Sequence, residues 1–232
     1  MSDADKTDGD AGNGDTGGGA TRAGFVALIG EPNAGKSTLL NAMVGAKIAI
    51  VTHKVQTTRA RIRGVAMAAL KDDDGAETGE RAQIVFVDTP GQFRPRRSLD
   101  RAMVAAAWAG AEDADMVCLL VEAHRGVTEG VEHILDALAE RPAAKIALVI
   151  NKIDRVKAEA LLALTKELNE RRDFVASFMI SAEKGHGVED LRQWLGGQMQ
   201  EGPFLYPEDE ISDLPLRTIA AEITREKLTL RL

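Results

Sequence analysis

Gly30-Glu31-Pro32-Asn33-Ala34-Gly35-Lys36-Ser37-Thr38 follows the apolar run Phe25-Val26-Ala27-Leu28-Ile29 and leads into Leu39, Leu40 and Val44 at helical spacing. A buried strand, a glycine-bounded turn and an amphipathic helix, in that order, match G-x-x-x-x-G-K-[ST] in the setting the pattern requires. Glycine at both ends lets the backbone wrap closely, so its N–H groups and the helix N-terminus can face a polyphosphate. Lys36 would reach the β- and γ-phosphates, and the Ser37 hydroxyl would bind Mg²⁺. Taken alone, the same residues would also make a strand-to-helix turn tightened by two glycines. The strand before and the helix after favour the phosphate reading.

Outward from this loop, the chain alternates strand and helix patterns. Residues 46–60 are polar without a clear period and read as a loop. Segments 61–70 and 83–87 read as strands joined by an acidic, hairpin-like connection over 71–81. Further strands at 116–121, 145–150 and 174–180 alternate with helical stretches near 99–109, 129–140, 157–169 and 188–199. The fold class predicted is α/β, a P-loop NTPase G domain with a mostly parallel, doubly wound sheet and helices on both faces. Ligands should gather beyond the carboxyl ends of its strands.

The remaining motifs fall at those ends. Asp88-Thr89-Pro90-Gly91 follows the 83–87 strand; Asp88 would hold Mg²⁺ through water, and the Gly91 N–H could meet a γ-phosphate. Alone it would be a turn. Asn151-Lys152-Ile153-Asp154 ends another strand. A carboxylate only accepts, so Asp154 can take two hydrogen bonds from the N1–H and N2–H₂ edge of guanine, where adenine offers none. Asn151 should brace the loop, and the Lys152 stem can lie against the purine face. Ser181-Ala182-Glu183 fits a further purine-contact loop in which a backbone N–H approaches the guanine O6. In the 46–60 loop, Gln56-Thr57-Thr58-Arg59 offers a hydroxyl that would meet Mg²⁺ only when the γ-phosphate is present. Thr58 is the first choice for that contact and Thr57 the second; the bland reading is a threonine bonded to its own backbone.

Composition bounds the rest. The 232 residues carry a net charge of −7, which argues against indiscriminate binding to nucleic acid or anionic lipid. The charge is concentrated in residues 1–20, with Asp3, Asp5, Asp8, Asp10 and Asp15 against Lys6, and in the 71–81 connection. Arg59, Arg61 and Arg63, and then Arg94, Arg96, Arg97 and Arg101, are either solvated faces or contacts to RNA phosphates. Cys118 lies in an apolar run and reads as a buried, inert thiol. His53, His124, His133 and His186 have no metal-ligand spacing. No apolar run approaches the roughly 18 residues of a membrane span, and the N-terminus lacks a signal pattern. A cytoplasmic protein is expected. The expected organisation is a disordered tail over 1–20, a G domain over 21–201, a linker over 202–213 and the start of a further domain over 214–232.

Together these motifs resemble the Era family of bacterial GTPases, of the TrmE/Era type. The similarity runs from about residue 24 onward. Its more specific parts are Glu31-Pro-Asn-Ala-Gly-Lys-Ser-Thr-Leu-Leu-Asn41, the stretch 46–63, Pro207-Glu-Asp and Ile223-Thr-Arg-Glu-Lys-Leu228. A monomer is expected. The resemblance implies binding of GTP and GDP with Mg²⁺ and slow hydrolysis of GTP. It also implies binding to the 16S rRNA of the small ribosomal subunit and peripheral contact with the inner face of the cell membrane. It further implies that Asn33 can ligate K⁺, which would neutralise transition-state charge beside Lys36 and Thr58.

Two features depart from the family pattern. Gln92, a residue able to orient water, stands where the family usually has a hydrophobic residue. No G-x-x-G follows Pro203, so the chain is read as ending within the first helix of a KH-like domain, with weak RNA binding of its own. Competing readings are a GTP-binding module with little hydrolysis, and a P-loop kinase of a small molecule. The second is disfavoured because Asp154 and the Ser181 loop commit the fold to guanine.

Overall fold

Strand β1 (Thr21–Gly30) has parallel neighbours on both sides, which is why its second half is apolar without alternation. The computed structural model describes residues 19–45, 63–88, 114–140 and 144–208, with Arg63 and Asp88 as backbone only. Among them the order is β1, α1 (Lys36–Val44), β2 (Arg63–Lys71), β3 (Glu77–Asp88), β4 (Met116–Glu122), α2 (Glu129–Ala139) and β5 (Ile146–Asn151). Then follow a 3-10 turn (Ile153–Arg155), α3 (Ala158–Arg171), β6 (Ala176–Ile180), α4 (Val188–Gln198) and the short β7 (Gln200–Glu201). The sheet runs β2-β3-β1-β4-β5-β6, with β2 antiparallel to β3, the other main pairs parallel, and β7 antiparallel to β1.

Successive residues of the central strands point to opposite faces, and each face builds its own core. Val26, Leu28, Cys118, Leu120 and Val149 pack with Leu39, Leu40 and Met43 of α1 and Leu191 and Leu195 of α4. Ala27, Ile29, Leu119, Val121 and Leu148 pack with Ile134 and Leu138 of α2 and Leu164 and Leu168 of α3. The doubly wound sheet is therefore present as expected. Cys118 is fully buried, and burial pushes its thiol up to about 12, as an inert core residue requires.

Several boundaries differ from expectation, those of β1 and β3 because polar residues enter strands when a partner strand is available. β1 starts at Thr21 because 21–24 pair with 81–84 of β3. β3 starts at Glu77, so the hairpin turn is short: the Asp72 carboxylate accepts from the Asp74 and Ala76 N–H groups, and the Asp72 N–H donates to the Ala76 carbonyl. β6 begins at Ala176, two residues later than read. The helix expected near 99–109 and the loop at 46–60 lie outside the described residues. No helix among the described residues is long and apolar enough to cross a membrane.

Residues 202–208, read as part of a linker, lie against the sheet. Gln83 of β3 is buried, and its carboxamide accepts from the N–H groups of Leu205 and Tyr206 while donating to the Tyr206 carbonyl, at 2.8–2.9 Å. Thr21 and Gly202 exchange hydrogen bonds, and Arg81 pairs with Glu208.

Candidate functional site

The described motif residues lie at or beyond the carboxyl ends of β1, β3, β5 and β6, four strands of one sheet. The 30–38 loop is shaped by its glycines. Gly30 has φ 153°, and a Cβ there would sit 2.5 Å from the Leu120 carbonyl oxygen. Gly35 has φ 101°, and a Cβ there would lie 2.1 Å from Asn151 Nδ2. Neither position admits a side chain without moving the strand or loop beside it. Asn33, at φ 67°, is exposed in the loop, in a conformation asparagine tolerates better than most residues.

Gly35 is also the N-cap of α1, and no side chain caps that helix. Glycine offers no side-chain oxygen to cap the helix, and the positive end of α1 faces the loop. Lys36 is only 7 % exposed; its ammonium folds back to the carbonyls of Gly30 and Glu31 at 2.8 and 2.9 Å. Ser37 and Thr38 follow in the first turn, half-buried. A buried ammonium, an uncapped helix start and a turn closed to side chains form a cradle for an anion. Pro32 and Ala34 complete the loop, and the Ala34 N–H closes it onto the Glu31 carbonyl.

Asn151 ties this loop to the others. Its Nδ2 donates to the Ala34 carbonyl at 2.8 Å, while Oδ1 accepts from the Lys152 N–H at 2.8 Å and the Ala182 N–H at 3.0 Å. One buried amide thus joins the turns after β1, β5 and β6. The Ala182 N–H, a candidate for contact with a base, is engaged with Asn151 here. The Ser181 hydroxyl donates to Asp154 Oδ1 at 2.7 Å, and Lys184 Nζ lies 3.7 Å from Oδ2. The Ser181 hydrogen bond is the largest influence on Asp154; it outweighs the opposing desolvation and, aided by the aspartate's own N–H and by Lys184, lowers its pKa below the ordinary value. Asp154 is thus held as an ionised acceptor, suited to a partner with two adjacent donors. Glu183 follows on the exposed side of the turn.

Asp88 ends β3 in register with Leu28, two residues before Gly30, which puts its backbone beside the phosphate-type loop. Gln56, Thr57, Thr58, Thr89, Pro90, Gly91 and Gln92 lie outside the described residues, as do the arginines at 59, 61, 94, 96, 97 and 101. Two groups escaped the sequence reading. Lys184 is one. The other is Glu122, which ends the seven-residue apolar strand β4 and takes Lys152, His124 and Arg155 around a single carboxylate oxygen. Its signal was available: a carboxylate closing an apolar run, in register with Asn151.

The family model described as 50S ribosome-binding GTPase matches residues 25–152. The chain is 71 % identical over 213 residues to the GTPase Era of Dinoroseobacter shibae, covering 91 % of this chain and 66 % of that protein. It is 56 % identical over 210 residues to the GTPase Era of Mesorhizobium japonicum, covering 90 % and 64 %. The chain thus spans slightly less than two thirds of the length of these curated relatives. Among solved structures, Era in complex with MgGDPNP and nucleotides 1506–1542 of 16S ribosomal RNA matches with TM-score 0.76 and 38 % identity, over 89 % of this chain and 67 % of that one. A variant of Aquifex aeolicus Era bound to GDP·AlF4⁻ matches with TM-score 0.74 and 38 % identity, over 89 % and 66 %.

Proposed function

Since the chain belongs to the Era family of GTPases, we propose that it is a guanine-nucleotide switch that binds GTP and GDP with Mg²⁺ and hydrolyses GTP to GDP and phosphate. The observation that carries this reading is the Asp154 carboxylate, oriented by Ser181 and joined through Ser181-Ala182 and Asn151 to the 30–38 loop. Base recognition and phosphate recognition are thereby parts of one hydrogen-bonded unit.

The fit to a nucleotide rests on this chain's own groups. The α1 N-terminus and Lys36 would take the phosphates. Ser37, Thr58 and Asp88 would hold Mg²⁺, which when bound supplies charge neutralisation between the phosphates. Thr58 and Gly91 would report the γ-phosphate as the two switch segments order and release. Asn33, exposed in a loop otherwise closed by glycines, would ligate K⁺ through its amide oxygen, and Gln92 would orient water if K⁺ plays no part. By kinship with Era we further propose that the whole protein acts on the small ribosomal subunit through 16S rRNA. A cytoplasmic location with peripheral contact at the inner membrane face belongs to the same proposal.

Nucleotide titrations test the core of it. GTP and GDP should bind and ATP should not. Asp154→Asn should weaken GTP roughly 10- to 100-fold, the worth of hydrogen bonds to a charged group, while improving xanthosine triphosphate. Equal affinity for GTP and ATP in the unmodified chain would sink the assignment. Phosphate release without an acceptor molecule excludes a kinase. Faster turnover in K⁺ than in Na⁺, abolished by Asn33→Ala, would identify the cation; equal rates would shift the role to Gln92.

A further inference from the structure

We infer that Glu122 is a positioning residue for guanine recognition: its buried carboxylate holds the Lys152 ammonium, so that the lysine stem is fixed in place as one wall of the base site. This rests on the guanine reading of the Asn151–Asp154 loop proposed above.

Glu122 is the last residue of β4, 7 % exposed, in register with Asn151 of β5. Its Oε1 lies 2.9 Å from Lys152 Nζ and 2.8 Å from His124 Nδ1, with Arg155 Nη1 at 4.0 Å. Taking a carboxylate out of water is costly, and a hydrophobic residue would end this apolar strand at less expense. Stability of the strand therefore does not explain the glutamate. What it does accomplish is visible in Lys152. That residue has φ 64°, a left-handed conformation that long side chains adopt reluctantly. It is held at both extremities, its N–H by Asn151 Oδ1 at 2.8 Å and its ammonium by Glu122.

A lysine anchored only at its backbone spreads over many rotamers, and a ligand that needs one of them must order it. A lysine tethered at its tip has already lost that freedom during folding. Binding then proceeds against a prepared surface, which is where preorganisation raises affinity. The carboxylate also draws the ammonium towards the end of β4, leaving the hydrophobic methylenes of Lys152 as the part available to a flat ring. Glu122 thus acts through Lys152 and need not touch the nucleotide.

The test is a double-mutant cycle read by fluorescent GDP binding and dissociation in the full chain. Glu122→Gln removes the charge at constant shape, and Lys152→Met removes the ammonium while keeping a stem. Each should weaken GDP roughly tenfold, about 1.4 kcal/mol, mainly through faster dissociation. The double variant should be no weaker than Lys152→Met alone, because the effect of Glu122 passes through that lysine. A purely structural role would instead lower the melting temperature and leave the two affinity losses multiplicative, and that result overturns the inference. So does unchanged affinity in a folded Glu122→Gln. If Glu122→Gln does not fold, Glu122→Asp carries the same cycle, because it keeps the buried charge and withdraws it by one methylene. Failure of the unmodified chain to bind GDP would overturn the guanine reading itself. Independent losses in a chain that binds GDP would overturn only the part assigned to Glu122.

Discussion

Asn151 and Gln83 are both buried carboxamides, 1 % and 0 % exposed, at the end of β5 and within β3. Each donates to one backbone carbonyl and accepts from two backbone N–H groups. The chemistry is the same, yet the consequences differ. The partners of Asn151 come from the turns after β1, β5 and β6, so one side chain closes a network among segments far apart in sequence. The backbone partners of Gln83 are the adjacent residues Leu205 and Tyr206, so it pins one segment against the sheet. A buried amide becomes the organiser of a site when its partners belong to separate elements, because losing it uncouples all of them together.

The largest expected effect breaks the first of these. Asn151→Ala would leave the Ala34 carbonyl and the Ala182 N–H unpaired in a buried setting, at about 1–3 kcal/mol for each group. Guanine-nucleotide affinity should fall roughly 100-fold or more, because base and phosphate loops lose their common brace. Calorimetric titration with GDP checks it. Retention of near-normal affinity would mean that the three turns hold their places without the amide.

Gln83→Ala is the matching experiment at the strap, and a smaller effect is expected. It removes as many hydrogen bonds to backbone groups, but Leu205 is exposed and Tyr206 only half-buried, so water can replace the lost partners. The cost should be about 1–2 kcal/mol, a fall in melting temperature of roughly 2–4 °C per kcal/mol for a domain of this size. Nucleotide affinity should not change. Amide exchange at Leu205 and Tyr206 should accelerate while that of Val26 and Val149 does not. A loss of GDP affinity in Gln83→Ala would join the two regions and erase the contrast.

The two amides also differed in how legible they were. Asn151 stands in Asn-Lys-x-Asp at the end of an apolar strand, and its bracing role follows from that setting. Gln83 looks like a polar residue opening the strand read at 83–87; nothing nearby signals that the chain returns to it more than 120 residues later. Likewise, Gly202, Pro203 and the acids after Pro207 read as a linker because composition reports local preference and not docking. The six longer strands were readable from apolar runs, and α1, α2, α3 and α4 from apolar period, because each buries apolar surface; the polar, two-residue β7 was not. Nor were the polar ends of β1 and β3, since Thr21–Gly24 and Glu77–Ala82 join the sheet through pairing. The Ser181–Asp154 bond escaped for the same reason: both residues were recognised, but not their contact.

Acidification sharpens the contrast from the side of the site. The Asp154 carboxyl titrates below the ordinary aspartate value, with the Ser181 hydrogen bond as the chief cause. A depressed carboxyl contributes stability that is present above the unfolded value of about 3.9 and lost as pH falls through the folded one. Base recognition by Asp154 should therefore be flat from pH 8 to pH 5, as GDP titrations across that range would show. A decline centred near pH 6 would assign the dependence to another group and weaken the view of Asp154 as a permanently ionised acceptor.

The smallest effect concerns the outer end of the strap. Arg81 meets Glu208 in a two-pronged pair at 3.0 and 2.5 Å, with its guanidinium carbon 5.7 Å from the centre of the Phe204 ring. Fork geometry favours such a pair, but both side chains are about half exposed, so water and salt compete for each charge. Exposed ion pairs contribute about 0.2–1 kcal/mol, well under the value expected for the buried Gln83 amide two residues along the same strand. Arg81→Ala should therefore lower the melting temperature by roughly 1–3 °C at low salt. Most of the part coupled to Glu208→Ala should vanish near 1 M salt, where the screening length is about 3 Å. Comparing Arg81→Ala with Gln83→Ala at both salt concentrations separates the two modes of attachment. If the arginine variant costs as much as the glutamine variant, and the cost persists in salt, the strap is held by its charged end and the buried amide is secondary. If the glutamine effect alone persists, desolvation and not charge decides where the segment lies, as it does for Asn151 at the opposite end of the strands.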